Sequence, residues 1–334
     1  MVLLDLDGGR AASVAEKHGA GKASATEVDG TDVEQMSEAL RGADVLINSA
    51  SYRVNLEGMR ACLVAGCNYL DLGGLYWMTG RQLELHPEFE RAGLLAILGI
   101  GSSPGKTNLM AVTAVRALGD AAGAIESIEV AAAGRDPAAA SDDRLRPPYA
   151  IQTLLDELTL EAVVIRDGET KRVAPLTPGG TVDFGHPIGA VETVYTLHSE
   201  LATFGEIFGC RSASFRLSLA APLLERLKEL VDAAPAEVAA AAGEAAPQSN
   251  ETISVHLVSV AAPGRVVTVR AVTRPHEGVG GSVNSTATPA AAAVRLLARG
   301  SLTATGVHPP ERCIEPEEMF AELRTRGCTF SVEG

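Results

Sequence analysis

The sequence lacks the features of several protein classes. Its five cysteines are odd in number and scattered, which favours reduced structural thiols over disulfides or a zinc site. Lys and Arg (28) are outnumbered by Asp and Glu (42), and a net charge of −14 argues against binding nucleic acid or an anionic membrane surface. No apolar run approaches the roughly 20 residues of a membrane span, and no basic segment of a signal peptide is present. We expect a cytoplasmic protein, with a homodimer as its assembly.

The first third of the chain, by contrast, has a clear alternation of strand and helix patterns. The nearly continuous apolar strand patterns at 43–48 and 94–100 are typical of strands buried on both faces of a parallel sheet. Ligands bind such sheets at the carboxyl ends of the strands. The residues that follow the strand patterns there are predicted to form a binding edge: Asp5, Asp29, Asn48, Ser49, Ala50 and Asp71.

The first strand pattern, at 2–7, ends in acidic residues, as the second strand of a Rossmann βαβ unit does. In that unit a G-x-G-x-x-G turn comes about 20 residues earlier and holds the pyrophosphate at a helix N-terminus. The 334 residues contain no G-x-G-x-x-G. We therefore expect an α/β fold whose Rossmann-like parallel sheet is N-terminally truncated and lacks its first βα unit.

Two glycine clusters follow strand patterns, and neither completes a phosphate-binding motif. The segment 99–107 ends in Gly-Lys-Thr, but a P-loop requires glycine at position 100, where Ile100 stands, and Pro104 removes an amide. A tight turn is the favoured interpretation. The segment 276–281 has Val283 where G-x-G-x-x-G requires its last glycine, so it predicts a flexible interdomain connection.

The middle of the chain has longer strand patterns, which suit an antiparallel sheet: 125–131, 191–197, 212–219, 253–260 and 265–272. The Ala-, Glu- and Pro-rich stretch 232–250 predicts an exposed helix and loop without functional content. A helix is predicted at 290–298, with Pro289 near its first turn and Gly300 after its end. These changes divide the chain into 1–108, 109–281 and 282–334.

Two groups of polar side chains are candidates for chemistry. His198 and Glu200 lie two apart at the end of a strand pattern, so their side chains point the same way and are able to share a proton. Tyr149, Thr153 and Glu157 recur at spacings of four, which predicts one shared helix face. By spacing alone, a structural histidine and a solvated helix face are favoured over catalysis and substrate binding.

Several segments together resemble one family, the saccharopine dehydrogenase-like proteins, which include lysine 6-dehydrogenase and carboxynorspermidine dehydrogenase. The segments are ADVLIN at 43–48, YLD at 69–71, G-x-x-P-G-x-T-N at 101–108, TLHSEL at 196–201 and TPA at 288–290. The resemblance implies a Rossmann NAD(P)-binding domain over 1–108, an inserted mixed α/β substrate domain over 109–281, and a helical segment over 282–334 that returns to the Rossmann domain.

The resemblance also implies an activity. We expect an NAD(P)-dependent oxidoreductase that acts on the C–N bond of an amino acid or a polyamine-like amine. His198, paired with Glu200, is the first candidate for the proton acceptor. Tyr149, Thr153 and Glu157 would orient the substrate.

In the same interpretation, the binding edge of the N-terminal sheet holds the cofactor. Asp5 would bind the adenosine ribose, which favours NAD over NADP because a carboxylate repels a 2′-phosphate. The remaining predicted cofactor contacts are Asp29, Asn48, Ser49, Ala50 and, near the nicotinamide, Asp71. The alternative from a different class is a non-catalytic, truncated or scaffold homologue that is unable to bind the dinucleotide.

Overall fold

The computed structural model describes residues 1–140, 145–231 and 233–334. Its N-terminal part alternates strands and helices, as the apolar runs predict. The strands are β1 (Val2–Asp5), β2 (Ser24–Glu27), β3 (Val45–Asn48), β4 (Asn68–Asp71) and β5 (Leu95–Ile97). The helices are α1 (Gly8–His18), α2 (Val33–Ala39), α3 (Asn55–Ala65), α4 (Tyr76–Leu83) and α5 (His86–Ala92).

The N-terminal strands form two separate parallel sheets. β1 pairs with β2, and the second sheet has the order β14-β5-β4-β3, in which β14 (Gly306–His308) comes from the C-terminal part of the chain. Side chains of both faces are covered in the second sheet, with Tyr69 packed on one side and Leu70 on the other. The parallel pairing confirms the expectation drawn from near-continuous apolar strands.

The second half of the chain builds a nine-stranded mixed sheet. Its strands are β6 (Ser127–Arg135), β7 (Ala162–Arg166), β8 (Glu169–Val173), β9 (Pro178–Asp183), β10 (Ala190–Tyr195), β11 (Ser212–Ser218), β12 (Ile253–Ala262), β13 (Arg265–Thr273) and β15 (Cys328–Glu333). The main order is β15-β13-β12-β6-β11-β10-β9, and β7 pairs with β11 and β8. The pairing is antiparallel except for β6 and β11, which run parallel, so the expected antiparallel sheet is mixed.

Helices cover one face of this sheet. They are α6 (Lys106–Leu118), α7 (Ile151–Thr159), α8 (Leu201–Phe208), α9 (Ala221–Val231), α10 (Pro235–Glu244), α11 (Gly281–Ala298), α12 (Pro310–Cys313) and α13 (Pro316–Arg324). Alternate residues of β12 separate two cores. Val258 and Val260 belong to the large core under the helices, whereas Val255 packs with Phe184 on the opposite face. No helix in the described parts of the chain is long and apolar enough to span a membrane.

One prediction about the second half is wrong. The last long helix begins at Gly281, not near residue 290, and Pro289 is buried inside it. The side chain of Asn284 donates to the carbonyl of Arg326 at 2.5 Å, and this tertiary contact holds a first turn that helix propensity disfavours. The segment 276–281 is a turn closed by backbone hydrogen bonds between His276 and Val279, and α11 begins at its last residue.

The stretch 232–250, of which residue 232 lies outside the described residues, has the predicted helix but is less exposed than predicted. It contains α10, and the residues after that helix reach the interior of the protein. Gln248 lines the central cavity, and Ser249 Oγ donates to Asp136 Oδ1 at 2.6 Å. The C-terminal segment contributes to both halves, because β14 joins the N-terminal sheet and β15 joins the mixed sheet.

Candidate functional site

A cavity of about 990 Å³ lies between the N-terminal sheet and the mixed sheet. It is lined by the loops that follow β3 and β4, by the turn that follows β5, by α7, and by β6, β11 and β12. The carboxyl ends of the parallel strands thus face the helix-covered side of the mixed sheet. This is the edge at which open parallel sheets bind their ligands.

His198 is fixed in the wall of this cavity immediately after β10. Its ring stacks on Phe215 of β11, with ring centroids 3.6 Å apart. Nδ1 lies 2.5 Å from Oε2 of Glu200, and both side chains are buried. His198 lines the cavity and Glu200 lies behind it. The two residues therefore form the pair that their spacing predicted.

Glu200 is ionised because hydrogen-bond donors converge on it. The hydroxyls of Ser103 and Thr107 donate to its Oε1 at 2.7 and 2.8 Å, and His198 donates to Oε2. Burial alone would raise the pKa of Glu200, but His198 and these hydroxyls hold it below its usual value. Burial alone would lower the pKa of His198, but the Glu200 carboxylate raises it above its usual value. His198 therefore holds its proton more tightly than an unpaired histidine does.

Tyr149, Thr153 and Glu157 all line the cavity, although they do not share one helix face as predicted. The helix α7 begins at Ile151, so Tyr149 precedes it. Its hydroxyl folds back and donates to Oε2 of Glu157 at 2.5 Å. Burial raises the pKa of Glu157 to about 7, against the opposing effects of His198 and Tyr149. The site thus combines an imidazole of raised pKa with a carboxyl that titrates near neutral pH.

The helix α7 is fastened to the N-terminal half through Asp156, which neighbours Glu157. Tyr52 Oη donates to Asp156 Oδ2 at 2.9 Å, and Arg53 donates to the same oxygen at 2.6 Å. Tyr52 itself lines the cavity. The position of Glu157 is therefore coupled to the loop that follows β3.

The structure separates the predicted cofactor residues into three groups. Ser49 and Ala50 line the cavity. Asp5 and Asp29 are exposed at the ends of β1 and β2 and are not part of the cavity wall. Asn48 is buried beneath the loop, where its Oδ1 accepts from the Ala50 amide at 3.1 Å and its Nδ2 donates to a neighbouring side chain.

Asp71 supports the turns around the cavity and does not line it. Its carboxylate accepts from the amides of Gly99 and Gly73 at 2.6 and 2.9 Å and from the side chains of Gln82 and Asn55 at 2.7 and 3.2 Å. With 1% of its surface exposed and four donors in place, Asp71 has no free oxygen for a cofactor. A direct contact with the nicotinamide is not supported by this geometry.

The residues at this edge fit the nicotinamide end of a dinucleotide. Small side chains at Ser49 and Ala50 and the backbone of Gly73 leave the cavity open above the ends of β3 and β4. Gly73 has φ +119°, and a Cβ there would lie 2.7 Å from Pro104, so the two loops approach each other through backbone. Asp5 uses one oxygen for the Asp7 amide, at 2.9 Å, which leaves the other for a ribose hydroxyl.

The Gly-Lys-Thr sequence serves the fold and not a phosphate. The Lys106 side chain is buried, and its Nζ donates to Ser285 Oγ at 2.6 Å and to Thr273 Oγ1 at 3.2 Å. It therefore ties α6 to α11 and β13, which confirms that 99–107 is a turn and not a P-loop. Thr107 of the same sequence is one of the donors to Glu200.

The sequence reasoning missed three residues of the site. Ser103 was assigned only to a turn, and Phe215 lies on a strand whose alternation does not show that a histidine stacks on it. His256 of β12 lines the cavity with 3% of its surface exposed, and its Nδ1 has no hydrogen-bond partner among the described residues. Its strand pattern predicts burial but not which cavity it faces.

Comparison with known proteins identifies relatives of this fold. Residues 1–97 match the family model of the saccharopine dehydrogenase NADP binding domain. Carboxyaminopropylagmatine dehydrogenase from Synechocystis sp. is 28% identical over 196 residues, which cover 56% of this chain and 48% of that protein. Carboxynorspermidine synthase from Vibrio cholerae is 25% identical over 207 residues, which cover 58% and 48%. The chain thus spans about half the length of the curated relatives it matches.

Solved structures share the fold over nearly the whole chain. Saccharopine dehydrogenase (L-Glu forming) from Saccharomyces cerevisiae has a TM-score of 0.71 at 15% identity, over 100% of this chain and 94% of that one. Homospermidine synthase from Legionella pneumophila, solved in complex with NAD, has a TM-score of 0.73 at 12% identity, over 99% and 84%. At these identities the likeness concerns the fold alone.

Proposed function

We propose that the chain is an NAD(P)-dependent oxidoreductase acting on the C–N bond of an amino acid or a polyamine-like amine. The match of residues 1–97 to the saccharopine dehydrogenase NADP binding domain model supports this proposal. The observation that carries this proposal is the position of His198 and Glu157. Both are buried titratable groups, and both line a cavity at the carboxyl edge of a parallel sheet. Amine oxidation requires a titratable group beside the substrate that is able to transfer a proton.

The residues of the chain have distinct roles in this proposal. When bound, an oxidised nicotinamide accepts a hydride from the amine-bearing carbon of the substrate. Ser49 and Ala50 border the space for the nicotinamide. His198, oriented by Glu200, is the proton-transfer residue facing the substrate. The Tyr149 and Thr153 hydroxyls and the Glu157 carboxyl orient the amine.

A screen for turnover tests the activity. The protein is incubated with saturating NAD or NADP and a panel of amino acids and polyamines, and the absorbance of the reduced nicotinamide is followed. We expect at least one amine to support reduction of the coenzyme. His198→Gln should abolish this reduction, although circular dichroism should show that the variant keeps its fold. Reduction that persists unchanged in this variant would remove His198 from the proposed site.

Coenzyme preference tests the assignment of Asp5. The family description names NADP, whereas an exposed carboxylate at the end of β1 favours NAD by hydrogen bonding the ribose and repelling a 2′-phosphate. Asp5→Ala should weaken NAD binding and reduce the discrimination against NADP. Asp7→Ala, which removes the helix cap of α1, is the matched control for local disruption. If wild type and Asp5→Ala discriminate between NAD and NADP to the same extent, Asp5 does not bind the ribose.

The second candidate is a non-catalytic scaffold that keeps the fold without its cofactor. It is favoured by one observation, the lack of a G-x-G-x-x-G turn in the 334 residues. In-frame codons upstream of Met1 that encode an apolar strand and this turn would favour the enzyme. A stop codon there, together with no measurable NAD binding by calorimetry, would favour the scaffold. The homodimer and the cytoplasmic location stay predictions, and sedimentation velocity measures the first.

A further inference from the structure

The step of amine oxidation that still needs a residue is the removal of the substrate's proton. An ammonium group has no lone pair, so it must lose a proton before hydride leaves the neighbouring carbon. His198 is bonded through Nδ1 to Glu200, whose carboxylate raises the pKa of the imidazole, so this pair favours His198 as a proton donor. A second group in the same cavity would then accept the substrate's proton.

Glu157 satisfies the geometric requirements for that group. It is 6% exposed, and it lines the cavity. Tyr149 Oη donates to one of its oxygens, Oε2, at 2.5 Å. No hydrogen bond from another described residue reaches Oε1, which leaves that oxygen for a ligand.

The charged and titratable groups around Glu157 come from three elements. On α7 and the loop before it, Asp156 opposes ionisation of Glu157 and Tyr149 favours it. From the segment after β10, His198 favours ionisation and Glu200 opposes it. Asp156 is itself paired with Arg53. These opposing charges, added to burial, place the pKa of Glu157 at about 7, which is the range in which a general base works best.

We propose that Glu157 is the proton acceptor of this site, and that His198, fixed by Glu200, acts in its protonated form. This assignment rests on the proposed function and deepens it, because it divides the proton transfers between two residues. Tyr149 is a positioning residue, since it acts by holding the Glu157 carboxylate.

The proposed step is balanced. Glu157 removes one proton from the substrate ammonium, which leaves a neutral amine and a protonated carboxyl. The hydride of the adjacent carbon leaves with two electrons to the oxidised nicotinamide dinucleotide, and the nitrogen lone pair forms the C=N bond of an iminium ion. Water then adds to the iminium carbon and loses one proton to solvent, and the protonated His198 donates its proton to the nitrogen. As the C–N bond breaks and the amine departs, the remaining hydroxyl proton returns to His198, which leaves a carbonyl product and a protonated imidazole. The substrate class is accordingly an amine that enters as an ammonium ion.

The protonation states are measured on the ligand-free protein, so this test does not depend on finding a substrate. Carboxyl-¹³C glutamate and ¹⁵N histidine spectra are recorded across pH for wild type, Glu157→Gln, His198→Gln and Glu311→Gln. Glu311 is the matched control, because burial raises its pKa to about 7 as well, yet it bonds Asn108 and Thr203 and does not line the cavity.

We expect two carboxyl signals that titrate near pH 7, one lost in Glu157→Gln and the other in Glu311→Gln. We also expect a histidine with both ring nitrogens protonated at pH 7 that is absent in His198→Gln. A Glu157 carboxyl that titrates near its ordinary value of 4.5, or a neutral His198 at pH 7, would overturn the proposal even if the protein oxidises amines.

Kinetics with the best amine from the screen give the second test. Glu157→Gln should lower kcat by roughly 10²- to 10⁴-fold with a much smaller change in KM, and the acidic limb of the pH–rate profile should vanish. Glu311→Gln should keep that limb. Tyr149→Phe removes a bond that favours the ionised carboxylate, so it should move the acidic limb to higher pH. A rise in KM alone with the acidic limb intact in Glu157→Gln would show that Glu157 only binds the substrate.

Discussion

At the scale of single residues, the number of donors decides which buried carboxyl is ionised. Glu200 and Glu157 are both buried, but Glu200 accepts hydrogen bonds from an imidazole and two hydroxyls, whereas Glu157 accepts one from a phenol. Each bond to the ionised form lowers the pKa, and burial raises it. The pKa of Glu200 is therefore below its ordinary value, and that of Glu157 is raised to about 7.

The raised pKa of Glu157 makes it a pH-dependent cost to stability. Its pKa is about 4.5 when unfolded and about 7 when folded, so the folded state binds the proton more tightly. Stability is therefore unaffected below pH 4.5, falls as the pH rises to about 7, and levels off above that. The loss is on the order of a few kcal/mol. Glu157→Gln should remove it, so the variant should gain more in melting temperature over wild type at pH 8 than at pH 5.

Glu251→Gln is the control for this stability measurement. Glu251 is exposed, and its replacement by Gln changes the same charge outside the cavity. It should shift the melting temperature little, and equally at both pH values. A Glu157→Gln variant that follows the pH dependence of wild type would contradict the assigned pKa of Glu157.

At the scale of elements, the turn between β5 and α6 connects the fold to the site. Gly105 has φ +115°, and a Cβ there would lie 2.5 Å from the amide nitrogen and the carbonyl oxygen of Gly101. Its amide donates to Asn108 Oδ1 at 2.8 Å, which caps α6. Ser103 and Thr107, the two hydroxyl donors to Glu200, lie on either side of Gly105. A change in this turn is therefore expected to alter Glu200 as well.

Gly105→Ala should lower the free energy of unfolding by more than the free-energy cost of the backbone conformation alone. A left-handed conformation costs a non-glycine residue roughly 1–2 kcal/mol, and the contact with Gly101 adds to it. Gly42→Ala is the matched control, because Gly42 has φ +77° with nothing within 4 Å of its Cβ position. Thermal melting should rank wild type above Gly42→Ala and Gly42→Ala well above Gly105→Ala. Equal melting temperatures for the two variants would show that the turn tolerates a Cβ.

Some elements of the fold are predictable from the sequence alone, and others are not. The strands β4 and β5 are predictable because strands buried on both faces carry continuous apolar runs. The start of α11 is not predictable, because its first turn depends on Asn284 binding a carbonyl 42 residues away. The parallel pairing of β6 and β11 likewise depends on the path of the intervening chain.

The site was predictable to a similar degree. The spacing of His198 and Glu200 predicts a pair because residues two apart on a strand point the same way. The same spacing does not show that Ser103 and Thr107 ionise the carboxylate, since those residues lie 97 and 93 positions away. Helical spacing predicts that Tyr149 and Glu157 lie close together, and they do, but not on one helix face. Tyr149 precedes the helix and reaches Glu157 by folding back.

At the scale of the whole molecule, the division of the N-terminal strands into two sheets exposes apolar strand surface. β1 belongs to a sheet of only two strands, and β3 is the edge strand of the four-stranded sheet. Val2 of β1 is 51% exposed, and Ile47 of β3 is 38% exposed. Unpaired edges that carry apolar side chains are templates for pairing with another chain. Residues 1–334 should therefore self-associate through these edges.

Ile47→Lys tests this expectation, because a charged side chain on a strand edge disfavours edge-to-edge pairing. Sedimentation velocity over a range of concentrations should show association of residues 1–334 that decreases in Ile47→Lys. Val64→Lys is the matched control, since Val64 is 71% exposed on α3 and not on a strand edge, so its replacement removes apolar surface without altering an edge. If both variants reduce association equally, general apolar contacts hold the copies together. If the wild type sediments as one species at every concentration, the edges of β1 and β3 do not drive association.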